Sequence, residues 1–151
     1  MEQRQQIEEL VYRSCLALDD RDFEGFLDLC DSGFRYKVTA FSPEIRKELV
    51  WLDHDKAGME TLFTQLPRHN SDHSPLARHA TVYTVKVNGG EAEVVSALQV
   101  FRTALDGGAT ELYTVARLID TVKLDSGTPK LARRHVRMAT RQLGFGTHIP
   151  I

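Results

Sequence analysis

Cysteine is almost absent from this chain. Cys15 and Cys30 are the only two among 151 residues, neither lies in a CxxC motif or beside a histidine partner, and both fall at apolar-phase positions of predicted helices. Two isolated thiols make no disulfide framework and cannot hold an iron-sulfur cluster, so a pair of reduced core cysteines is the reading that remains. Long hydrophobic runs are missing too. No stretch approaches the roughly 20 apolar residues that cross a bilayer, and the opening Met1-Glu2-Gln3-Arg4-Gln5-Gln6 is too polar for a secretory leader, so a cytoplasmic protein with no membrane partner is expected. An excess of one charge is also lacking. The 19 Lys and Arg against 21 Asp and Glu leave a net charge of -2, which argues against general affinity for nucleic acid. No repeat, low-complexity tract or linker divides the chain, and its length suits one domain over residues 1–151 with its own core.

What the chain does have is periodicity. Ile7, Leu10, Val11, Cys15 and Leu18 form one stripe of an opening helix. Asp20 or Asp22 can cap a second, short helix with Phe23, Phe26, Leu27 and Cys30 pointing inward, ended by Asp31-Ser32-Gly33. Residues 34–40 alternate as a strand does, and 47–53 supply a further strand around Val50, Trp51 and Leu52. Asp55 can cap a third helix from Lys56 to about Leu66, with Met59, Leu62, Phe63 and Leu66 on one face. After a polar loop over 67–75 come strand-like runs at 76–87 and 91–105, separated by Asn88-Gly89-Gly90. Asp106-Gly107-Gly108 then leads into a terminal hairpin, 112–124 and 131–143. Helices gathered ahead of an antiparallel meander must pack on one face of a curved sheet, so the expected class is α+β.

The terminal hairpin holds the residues of greatest chemical interest. In its first strand Leu112, Ala116, Leu118, Val122 and Leu124 share a parity interrupted by Thr114 and Asp120, while Tyr113, Val115 and Ile119 lie opposite, as in a central strand. In the second, Arg133, His135, Arg137 and Arg141 make a cationic face, and Ala132, Val136 and Met138 a core face. Within a wider set of Tyr36, Asp53, His79, Asp120 and His135, the pair to suspect of proton transfer is Asp120, set between Ile119 and Val122 where an apolar pocket would raise its pKa, with His135 on the partner strand. The structural alternative, which is preferred, is a buried Asp–His or Asp–Arg pair, with Arg117 and Arg134 equally available to Asp120. His69, Asp72, His73 and His79 have donor atoms suited to zinc or iron, but a polar loop collects such residues without binding metal, and an interface or solvated lid is preferred. The cationic strand and the apolar residues of the tail, with Arg133, Arg137, Arg141, Phe145 and His148, read as a subunit interface.

Three stretches carry a family resemblance that spans most of the chain. They are Leu18-Asp19-Asp20-Arg21-Asp22-Phe23-Glu24-Gly25-Phe26-Leu27-Asp28-Leu29 followed by Tyr36, then Leu76-Ala77-Arg78-His79, and Arg134-His135-Val136-Arg137-Met138-Ala139-Thr140-Arg141-Gln142-Leu143-Gly144. With the element order, they resemble the cone-shaped (cystatin-like) fold of nuclear transport factor 2 and ketosteroid isomerase. Within that group they are similar to the small, or β, subunits of Rieske-type ring-hydroxylating dioxygenases and related monooxygenases. Met138-Ala139 departs from the apolar-Asp pair of many members, and a monooxygenase acting on a small sulfonate or aromatic acid stays open. The resemblance implies a non-catalytic subunit that supports a large, or α, subunit carrying the Rieske iron-sulfur cluster and a mononuclear iron, with no cofactor or metal on this chain. It also implies self-association as a trimer within a mixed hexamer. The alternatives are a stand-alone isomerase, dehydratase or cyclase, as a dimer, with Asp120 and His135 in an open cone, and a small-ligand or protein-binding module.

Overall fold

The computed structural model describes residues 2–69, 73–139 and 151, the side chains of 67–69 apart. Helix α1 (Gln3–Asp19) buries the stripe read from the sequence, Ile7, Leu10, Val11, Cys15 and Leu18. Asp22 caps α2 (Phe23–Asp28) by accepting the Gly25 N–H at 2.9 Å. The helix stops sooner than expected. Cys30 already belongs to strand β1 (Cys30–Ser42), so it is not helical, and Asp31-Ser32-Gly33 lies within the strand. The turn chemistry of that triplet is still used, because the Asp31 carboxylate accepts the Gly33 N–H at 3.0 Å. The strand absorbs this local turn as an irregularity between Cys30 and Arg35.

Strand β2 (Lys47–Asp55) runs back along β1, and Asp55 caps α3 (Lys56–His69) through the Gly58 N–H at 2.8 Å. Strands β3 (Leu76–Asn88), β4 (Glu91–Thr103), β5 (Thr110–Lys123) and β6 (Lys130–Met138) follow as an antiparallel meander. Its first and last turns place Gly89 and Gly127 at φ of 63° and 85°, a region that disfavours any Cβ. The order across the sheet is β2-β1-β6-β5-β4-β3, which sets β5 in the interior as its two-sided apolar pattern suggested. One feature differs from the expected all-antiparallel sheet: β6 lies parallel to β1, so the six strands form a mixed, open sheet with β2 and β3 as edges.

All three helices pack on one face of this curved sheet, α1 along β3 and α3 over β1 and β2, in an α+β cone. The core is shared by helix and sheet residues, among them Phe26, Phe34, Val38, Met59, Leu98, Leu118 and Val136. Phe26 sits edge-on to both Phe34 and Phe63, each at 6.1 Å, and Phe23 stacks on Phe63 at 4.4 Å. The opposite face of the sheet is uncovered by any described helix.

Candidate functional site

The helix-covered face of the sheet holds a charged network. Asp120 of β5 and Arg134 of β6 are register partners, and the guanidinium grips the carboxylate through Nε–Oδ1 at 2.8 Å and Nη2–Oδ2 at 3.0 Å. Both side chains are sealed from solvent, at 0% and 1% exposure. Burial opposes the charge on Arg134, but Asp120 more than offsets it and the guanidinium pKa is raised. The Asp–Arg alternative is therefore the one that the fold adopts, with Arg134 as the partner; Arg117 points to the open face.

A single register step separates this arrangement from an Asp120–His135 pair. Had Leu124 faced Leu131, Asp120 would have met His135. Instead Val122 faces Leu131, and an irregularity between Thr121 and Val122 leaves Asp120 opposite Arg134 and Ile119 opposite His135. Adjacent strand residues point to opposite faces, so Asp120 and His135 are on different sides of the sheet. The signal for Arg134 was present in its parity, which it shares with Ala132, Val136 and Met138.

Two further contacts extend the interior network. Arg78 of β3 donates from Nη1 to Asp19 Oδ1 at 2.8 Å, and its backbone N–H donates to the same carboxylate at 3.0 Å. This ties the end of α1 to the start of β3, and sequence reasoning alone did not pair the two. Tyr36 of β1, fully buried, donates its hydroxyl to the Ile151 carbonyl at 3.0 Å. Burial pushes the Tyr36 phenol up, against the pull of the Arg134 and Arg78 charges. The three stretches behind the family resemblance thus meet in one place: Asp19 and Tyr36 from the first, Arg78 from the second and Arg134 from the third.

The wider constellation does not assemble. Asp53 is on the open face, paired with Arg35 at 2.7 Å, and exposed His79 packs against the Phe101 ring at 5.1 Å. His135 faces Thr39 at 2.7 Å and Glu48 at 3.5 Å. The Thr39 hydroxyl also donates to Glu48, which holds that carboxyl below its usual range. Burial lowers the His135 pKa, with Glu48 opposing the shift. Among the described residues no three His, Cys, Asp or Glu side chains converge as metal ligands. Of the metal candidates, His73 is exposed, the His69 side chain lies outside the described residues, and so does Asp72. Of the interface candidates, Arg133 and Arg137 are exposed on the open face, while Arg141, Phe145 and His148 lie outside the described residues. Ile151, expected with the tail on another surface, is buried in this chain's own core.

Both cysteines are free thiols buried in the core. Burial pushes the Cys30 thiol up to about 12 and moves Cys15 in the same direction. Above the ordinary value of 9.0 the unfolded chain surrenders these protons before the native state does, so stability falls as pH rises. From pH 9 to 10.5 Cys30 alone is expected to remove about 2 kcal/mol. Cys30→Ser preserves a donor for the Phe26 carbonyl, which the thiol reaches at 3.3 Å, without that ionisation. Urea midpoints across this pH range should therefore decline less steeply in the variant; parallel slopes would contradict the assignment.

Comparison with known proteins agrees with this geometry. The model of the SnoaL-like domain family matches residues 1–135. The chain is 38% identical over 150 residues to the methanesulfonate monooxygenase hydroxylase β subunit of Methylosulfonomonas methylovora, covering 93% of this chain and 83% of the relative. It is 31% identical over 146 residues to the 2-aminobenzenesulfonate 2,3-dioxygenase β subunit of an Alcaligenes species, covering 96% and 97% of the two. Among solved structures, a Novosphingobium aromaticivorans protein described as the β subunit of an aromatic-ring-hydroxylating dioxygenase superposes with a TM-score of 0.83 at 20% identity, covering 97% of this chain and 95% of its own. That likeness is one of fold. With a family match over most of its length and two β subunits above 30% identity, this chain belongs to the SnoaL-like family and, within it, to the β subunits of monooxygenases and dioxygenases.

Proposed function

We propose that this chain is the non-catalytic β subunit of a Rieske-type oxygenase acting on a sulfonate, and that it forms one domain over its whole length. The observation that carries this reading is the 38% identity to a methanesulfonate monooxygenase β subunit, joined by a second relative whose name also specifies a sulfonate. The interior supports it from the side of chemistry. The carboxylate placed to act as a base, Asp120, is committed to two hydrogen bonds from Arg134 and sealed beneath the helices. In this reading the Rieske cluster and mononuclear iron belong to a large cytoplasmic partner, and β subunits form a trimer within a mixed hexamer. The same reading assigns Arg133, Arg137, Arg141, Phe145 and His148 to subunit contacts.

Co-expression with the large subunit from the same source tests the proposal. The expected product is a stoichiometric complex containing iron and acid-labile sulfide that consumes oxygen with methanesulfonate or an aromatic sulfonate, while the isolated chain does neither. A homo-oligomer that ignores the large subunit and isomerises or dehydrates a substrate through Asp120 would overturn it.

A further inference from the structure

Arg117 of β5 and Arg137 of β6 face each other directly across the ladder on the open side of the sheet. Both are exposed, and like charges opposed in this way weaken a strand pair. Neither guanidinium has a carboxylate at ion-pair distance among the described residues. Arg117 rests over the Tyr83 ring, 5.5 Å from its centroid. Glu48 lies near enough for its charge to feel Arg137, yet its hydrogen bond is with Thr39 and the ring beside it, at 3.5 Å, is His135. The next acid along β2, Asp53, is taken by Arg35. Alongside, Arg133 and Lys37 continue the positive row, at the positions facing Arg35 and His135 across the β1–β6 ladder. The two arginines line a groove of about 490 Å³ together with Thr39, Phe41, Glu48 and Met138. Phe41 is 55% exposed there, an apolar rim beside two cations that have no carboxylate partner among the described residues.

We propose that this groove receives a carboxylate side chain of the oxygenase large subunit, held between Arg117 and Arg137, with a neighbouring apolar residue against Phe41. The inference rests on the β-subunit reading and assigns that partner a surface. Charge complementarity selects the occupant. A two-fold contact centred on the groove would set guanidiniums against guanidiniums, because the acids beside it, Glu48 and Asp53, already hold Thr39 and Arg35, so the acid is assigned to a different chain. Arginine suits the task, since its planar fork binds a carboxylate through two parallel hydrogen bonds and loses less hydration than lysine on burial.

The test uses the co-expressed complex. Arg117→Glu/Arg137→Glu should leave the secondary structure and thermal transition of the isolated chain essentially as in wild type, and weaken its affinity for the large subunit by about 30-fold or more. Wild-type affinity should fall steeply with added salt, and that dependence should shrink in the variant. Arg117→Lys/Arg137→Lys supplies a second readout, because a zero-length carbodiimide then joins the new amines to any carboxylate that touches them. A cross-link from either position to an Asp or Glu of the large subunit supports the inference. Unchanged affinity in the charge-reversed variant, or cross-links only to a second copy of this chain, overturns it while the β-subunit reading survives. If wild type binds no large subunit, both fall together.

Discussion

Arg134→Met is expected to cost this protein about 3–5 kcal/mol, a large part of the 5–15 kcal/mol by which a fold of this kind is stable. The reason is the partner left behind. Asp120 is fully buried and receives two hydrogen bonds from Arg134, at 2.8 and 3.0 Å. Without them its carboxylate must stay charged in an apolar interior or take up a proton, and either is costly. Asp120→Leu leaves the converse orphan, a guanidinium at 1% exposure, and should cost a similar amount.

The double variant Arg134→Met/Asp120→Leu separates two roles for the pair. If the pair is there to satisfy itself, removing both charges restores most of the loss, because the desolvation of both ions disappears along with their attraction. The coupling energy from such a cycle should then be several kcal/mol and of stabilising sign. Urea denaturation of the four proteins at pH 7 gives it directly. A double variant as unstable as the sum of the singles would show that each charge has independent partners, with Tyr36 and Cys15 the groups whose titration already feels Arg134.

The local elements were legible because their causes are local. The stripe of α1 needs only a 3.6-residue period, and the Asp22 and Asp55 caps need only a short acceptor ahead of an apolar run. Long-range pairing was less legible. The parallel contact of β1 with β6 joins residues about a hundred positions apart, and no feature of either strand announces its neighbour. The Asp120 partner depended on one irregularity in a hairpin whose connection fixes its register only to within a residue, and that single step exchanges Arg134 for His135. Asp19 and Arg78 were visible as parts of two resembling stretches, but each alone looks like a surface charge; only the packing of α1 along β3 joins them. The open-face arginines were read correctly as a cationic strand face, while the second row that makes them a pair, Arg117, came from the neighbouring strand.

Phe26→Ala should be the other severe substitution, at about 4–5 kcal/mol. Truncating a buried phenylalanine costs about 3–5 kcal/mol through lost burial and the cavity left behind, and this ring adds two aromatic contacts whose geometry contributes beyond area. Its edge-on neighbours are Phe34 of β1 and Phe63 of α3, each at 6.1 Å, so one side chain joins α2 to the sheet and to the third helix. Phe23 provides the internal control. It stacks on Phe63 at 4.4 Å but is only partly buried, and Phe23→Ala should cost less than half as much. Equal losses for the two variants would mean that the cluster is held by stacking on Phe63 and not by the ring at its centre. Because α2 leads within two residues into β1, the strand whose outer side carries Thr39 and Phe41, the Phe26 variant should also loosen the open face. Its affinity for a large subunit should then fall with its stability and recover on cooling toward the stability maximum. A charge-reversed groove lacks that recovery, and this difference distinguishes loss of the scaffold from loss of the contact.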